Sequence, residues 1–178
     1  MYNPAGDATE FIEIKNISSS AVSLAGVEVS GCGVVFSTGT PDLEAGGLIL
    51  VVAGDPGEFR AAHNIAGAVL IFGPYSGRLD NGGEKIRVKV PESSGVAGEP
   101  QLHVSVDIVD YDDNVPWPAG ADGGGFSLQR IMPAEYGGEP LNWELSTETG
   151  GTPGIDDSAP FDWRTLFFSA AEIANPAL

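Results

Sequence analysis

A single cysteine, Cys32, stands in a chain of 178 residues. No internal disulfide can form, and a thiolate metal site cannot be assembled. The core must hold by packing alone. Basic residues are scarce as well: 8 Lys and Arg face 25 Asp and Glu, for a formal charge of −17. Such a chain repels phosphate backbones, so general DNA or RNA binding is disfavoured. No apolar run approaches the roughly 20 residues of a membrane span, and no signal sequence opens the chain. The motifs G-x-S-x-G, H-E-x-x-H, C-x-x-C and a phosphate loop with its lysine are all missing. His63 and His103 are the only histidines and lie far apart in sequence, where each reads as a surface or satisfied side chain. Cys32, between two glycines and away from any positive cluster, reads as a small apolar side chain near a strand end.

What the chain has is glycine (25), proline (13) and 42% hydrophobic residues. That composition suits one domain of many short elements with tight turns. Residues 9–17 alternate, with Ile12 and Ile14 on one face and Glu13 and Lys15 on the other. Residues 22–30 alternate through Val22, Leu24, Val27 and Val29, with Gly26 read as a bulge. Val34 to Phe36 form a short strand, and the continuous run LILVVA at 48–53 predicts a central one. Asp55, Pro56 and Glu58 are a helix start in the capping-box style. Further strands are predicted at 68–72, 84–90, 102–111 and 126–131. Asp80-Asn81-Gly82-Gly83 reads as a hairpin turn. Ile86, Val88 and Val90 point inward in the strand after that turn, and Val104, Val106 and Ile108 share one face of the next. Together these segments predict an all-β sandwich with one short helix.

The sandwich is expected to end at residue 154. Residues 155–178 then form a linker and a short amphipathic helix, with Trp163, Leu166, Phe167, Ala170, Ala171 and Ile173 at helical spacing. That apolar face must be covered by something.

The acidic cluster is the only chemical candidate. Asp107, Asp110, Asp112, Asp113 and Asn114, with Asp122 nearby, offer hard oxygen ligands of the kind Ca²⁺ takes. The run Asp110-x-Asp112-x-Asn114 begins like an EF-hand loop but has Val115 where glycine is needed and Ala121 where the bidentate glutamate belongs. The cluster is thus either an irregular Ca²⁺ site or a solvated acidic loop. Lys85, Arg87 and Lys89 gather on one strand face, either as a docking stripe for an acidic partner or as charges that prevent edge pairing. Phe126, Leu128, Trp117 and Trp143 read as core or core-covering residues. Asn16-Ile17-Ser18 is formally a glycosylation sequon.

The segments EFIEIKN (10–16), VSLAGV (22–27), LEAGGLILVVAGD (43–55), LDNGGEKIRV (79–88), DIVDYDD (107–113), PW (116–117), GGGFSLQR (123–130), NW (142–143) and GGTPG (150–154) occur in this order in lamin tail domains. The chain resembles a bacterial extracellular member of that family over roughly residues 3–154. The resemblance implies an immunoglobulin-like sandwich without catalytic residues. It also implies a secreted or cell-surface location, and a role in adhesion, assembly or positioning of a neighbouring domain by contact with a protein or surface polymer. The alternative is a calcium-stabilised spacer. Members of the family carry an apolar strand of the type V-x-I-N-E-I directly ahead of the position of Met1. Its absence here leads to the expectation of a late start within a longer parent protein, with the exposed sheet edge covered by the 160–173 tail or by a second chain. The tail itself is similar to a segment of large bacterial secreted proteins that precedes Asp-rich repeats.

Overall fold

The computed structural model describes residues 1–93 and 101–156. Among them are nine strands and one α-helix. In chain order these are β1 (Phe11–Lys15), β2 (Glu28–Val29), β3 (Val34–Val35), β4 (Leu48–Val52), α1 (Pro56–His63), β5 (Leu70–Phe72), β6 (Gly83–Glu92), β7 (Leu102–Asp112), β8 (Leu128–Arg130) and β9 (Trp143–Leu145). They form a three-stranded sheet ordered β1-β4-β5, a four-stranded sheet ordered β3-β2-β6-β7, and a two-stranded ribbon β8-β9. The result is the expected all-β sandwich.

The continuous apolar run of β4 is explained by burial on both faces. Ile49 and Val51 enter the core between the two large sheets, beside Val27, Val29, Phe36 and Leu43. Leu50 and Val52 face the other way, onto Phe11, Phe59 and Ile65 beneath α1. These four β4 side chains are fully buried. The helix begins as its sequence dictates: the Asp55 carboxylate accepts from the N–H groups of Gly57 (2.8 Å) and Glu58 (2.9 Å), satisfying two of the donors a helix start leaves open. At its far end Asn64 takes the left-handed conformation. Beyond it the Arg60 guanidinium donates to the carbonyls of Ala66 and Val69, tying the helix to the loop that leads into β5. β5 then lies parallel to β4. This β-α-β crossover inside a sandwich is not foreshadowed by the alternating pattern.

Three local readings are corrected. Gly26 is not a strand bulge. It sits in a turn at φ +75°, and β2 is only the pair Glu28–Val29, with Val22 joined to Leu43 by an isolated bridge.

The Asp80–Gly83 turn closes through Gly83 N–H to the Asp80 carbonyl (3.2 Å), yet it is no hairpin. The strand before it, β5, belongs to the other sheet, so the turn is a crossover between layers. Nor does Asn81 take positive φ; the special backbone is at Gly83, φ +117°. A Cβ there would meet the Tyr111 carbonyl oxygen at 2.7 Å, so only glycine fits this approach of β6 to β7.

The third correction concerns β7. Its pairing with β6 slips between Val88, opposite Asp107, and Lys89, opposite Ser105. Val106 is therefore the extra residue of a bulge, and the inward phase changes there. Directly opposed residues share a face, so Val109 and Tyr111 turn inward with Ile86 and Glu84, while Ile108 sits opposite Arg87 on the outer face. Val104 and Val106 are about half exposed, at 49% and 59%. The expected apolar face of Val104, Val106 and Ile108 does not exist as a unit.

A separate cluster closes one end of the molecule. Tyr2, Leu79, Tyr111, Trp117 and Ala121 pack with Leu128, Trp143 and Leu145 of the β8-β9 ribbon, confirming the tryptophans as core-covering side chains. Trp143 donates its indole N–H to the Gly137 carbonyl (2.8 Å), and Arg130 lies over its ring at 5.1 Å.

Candidate functional site

Packing between the two large sheets weakens toward β1, which is the outermost strand of its sheet among the described residues. Ile49 and Val51 of β4 are fully buried, but their neighbours Ile12 and Ile14 on β1, and Ile86, Val88 and Val90 on β6, are only half-buried. These five side chains line one cleft of about 1080 Å³, which continues past Val106 on β7 to Leu128 and Trp143 on the ribbon. That volume lies just above the roughly 300–1,000 Å³ typical of small-ligand sites. The walls are chiefly aliphatic, while Lys15, Asp107, Arg130, Glu144 and Asp156 supply polar groups along the lining.

The cleft is not legible as a site in the sequence. Alternation places Ile12, Ile14, Ile86, Val88 and Val90 inward, but it does not show that they stay only half-buried, nor that Lys15 and Val106 join them in the lining.

The acidic residues proposed as metal ligands are dispersed onto separate partners. Asp107 pairs with Arg130 at 2.7 Å, and Asp110 pairs with Lys85 across the outer face. Asp112 accepts from the backbone and side-chain N–H groups of Asn114, both at 2.8 Å, which hold its carboxyl below the usual range. Asp113 is pushed the other way, by desolvation and by the neighbouring Asp112. Asp122 accepts from the Asn3 amide at 2.6 Å. Among the described residues, no group of three or more His, Cys, Asp or Glu side chains converges to hold a metal ion. Millimolar calcium should accordingly leave the thermal melt unmoved. A site half-saturated at a tenth of the calcium present would add roughly 1.4 kcal/mol, a shift of about 3–6 °C for a chain of this size. Such a shift, read by calorimetry against magnesium, would overturn the expectation.

The basic stripe is largely neutralised from within. Lys85 meets Asp110, and Lys89 meets Glu28 at 2.7 Å, an interaction that lowers the Glu28 pKa. Arg87 sits between them, opposite Ile108. His63 packs against Phe59 with ring centres 4.4 Å apart, and burial lowers its pKa; His103 is exposed on β7. Cys32 is buried with its thiol directed at the Val29 carbonyl (3.5 Å), and burial raises its pKa. Asn16, the sequon asparagine, is buried, and its amide nitrogen is spent on three carbonyls. A glycosyl transferase could not reach it in the folded chain. Trp163, Leu166, Phe167 and Ile173, the tail residues expected to pack, lie outside the described residues.

With this geometry in view, comparison with protein-family models, with curated proteins and with solved structures returns no match.

No transmembrane-capable helix occurs among the described residues.

Proposed function

We propose that this chain is a non-catalytic interaction or assembly module of a bacterial secreted or cell-surface protein, built on a lamin-tail-like, immunoglobulin-like sandwich, and that its inter-sheet cleft takes up an apolar polypeptide segment. The observation that carries this reading is the cleft itself. Five aliphatic side chains from β1 and β6 stand half-buried around about 1080 Å³, and apolar surface of that extent in a folded domain marks a place where something binds. The ordered series of nine motifs supports the family reading.

A calcium-stabilised spacer is less well supported, because the acidic side chains it needs are already engaged by Arg130, Lys85, Asn114 and Asn3. A nucleic-acid binder finds little support in a charge of −17, with two of the three stripe cations already paired.

The test is photo-crosslinking on the full chain with p-benzoylphenylalanine in place of Val106, which lines the cleft and is 59% exposed. Val115, 87% exposed in the acidic loop, serves as the control position. Efficient capture of polypeptide at 106, well above that at 115, is expected. Equal capture at both positions would refute the cleft as a binding site.

A further inference from the structure

We infer that the segment filling the cleft is the chain's own residues 158–178, docked within the same molecule. This rests on the reading of the cleft as a polypeptide site and names its occupant.

The path of the chain as it leaves the sandwich is the first support. Residues 153–156 run along the side of β1: the Gly154 N–H donates to the Glu13 carboxylate at 2.6 Å, and Lys15 holds Asp156 through both carboxylate oxygens at 2.7 and 2.8 Å. Pro153, Ile155 and Asp156 are themselves part of the cleft lining, and Ile155 is 58% exposed there. The last described residue, Asp156, therefore stands at the cleft.

The composition of that next stretch is the second support. Residues 158–178 contain Phe161, Trp163, Leu166, Phe167, Phe168 and Ile173, and their only charged side chains are Asp162, Arg164 and Glu172. In a chain with 25 acidic residues, so apolar and sparsely charged a segment suits an aliphatic cleft better than water.

Reach is no obstacle, since ten extended residues span roughly 33 Å. A tether this short holds the segment at an effective concentration on the order of millimolar, so even a weak apolar contact would be well populated. A second copy of the chain or a foreign partner would have to displace a ligand that is covalently delivered.

The crosslinking experiment identifies the occupant. With the photoprobe at position 106, the adduct should migrate at the mass of one chain, and peptide mapping should place the joined residue within 158–178. In the same full chain, Leu166→Asp with Phe167→Asp should reduce the yield by about tenfold or more, since each removes an apolar anchor. Far-UV circular dichroism should stay unchanged, which separates loss of docking from loss of fold. An adduct at twice the chain mass, one mapped outside 158–178, or a yield untouched by the double substitution overturns the inference while leaving the cleft as a polypeptide site. No capture at 106 above the Val115 control overturns both.

Discussion

Replacing Asn16 by aspartate should destabilise the fold at least as much as replacing it by alanine, although aspartate is nearly the same shape. The Asn16 amide nitrogen donates to the carbonyls of Ser20 (2.8 Å), Leu43 (2.8 Å) and Glu44 (3.0 Å). Its side-chain oxygen accepts from the backbone N–H (3.0 Å) and hydroxyl (2.8 Å) of Ser18. One buried side chain thus joins the end of β1 to the 18–20 turn and to the approach to β4. Alanine removes these bonds, each with a net worth of about 1 kcal/mol, and leaves the Ser18 N–H unpaired, for a cost of roughly 2–4 kcal/mol. Aspartate keeps the acceptor for Ser18 but sets a carboxylate oxygen against three carbonyl oxygens. Burying that unpaired charge adds desolvation and repulsion to the lost bonds. Urea unfolding of both variants reads the difference. An aspartate variant as stable as the parent chain would mean that Asn16 is not engaged as described.

Alkali should unfold the domain over a narrow range above pH 10. Tyr2, Tyr75 and Tyr111 are each buried, with at most 6% of their surface exposed. Burial is the main cause that raises all three phenols; Tyr2 is pushed up to about 12, and Tyr75 and Tyr111 are raised further still. The nearby carboxylates of Glu10 at Tyr75 and Glu84 at Tyr111 add to the effect. These are acids whose folded pKa lies above the unfolded value near 10. Below pH 10 the folded and unfolded phenols are both neutral, and nothing is lost. Above it the unfolded chain gives up protons that the folded chain keeps, so stability falls as pH rises. Each phenol contributes about 1.4 kcal/mol per pH unit, and the three together roughly 4 kcal/mol per unit. Set against a total stability of about 5–15 kcal/mol, that exhausts the fold within a few pH units above 10. Phenolate absorbance and loss of circular dichroism should therefore rise together in one transition. Titration of these tyrosines with the sheets intact would show that the Tyr2–Tyr111 stack, 4.5 Å between ring centres, is open to solvent.

Much of this architecture is legible in the chain because several local signals act within a few residues of one another. The Asp55-Pro56-Glu58 helix start, the two-sided burial of β4 and the inward phase of Ile86, Val88 and Val90 are all consequences of nearest-neighbour chemistry. What escapes is whatever depends on the partner strand. A bulge at Val106 reverses the inward phase of half of β7, and no residue type there announces it. The Asn81-Gly82 pair promises a hairpin, but the identity of the sheet on its other side is a long-range fact. Asn16 reads as a sequon because its three carbonyl partners lie up to 28 residues away. Lys85 and Lys89 read as a stripe until the register places Asp110 and Glu28 beside them. The cleft is hidden for the same reason: alternation reveals that Ile12 and Ile14 face inward, but not that they stay only half-buried there.

That shortfall in coverage is most directly measured at the methyl groups of Ile12 and Ile14. In an isoleucine methyl-labelled sample of the full chain, both are expected to show Overhauser contacts to aromatic ring protons assigned to Trp163, Phe167 or their neighbours. If instead their contacts are confined to residues 1–156, with water at the remaining face, the cleft is an unfilled space and the central claim fails.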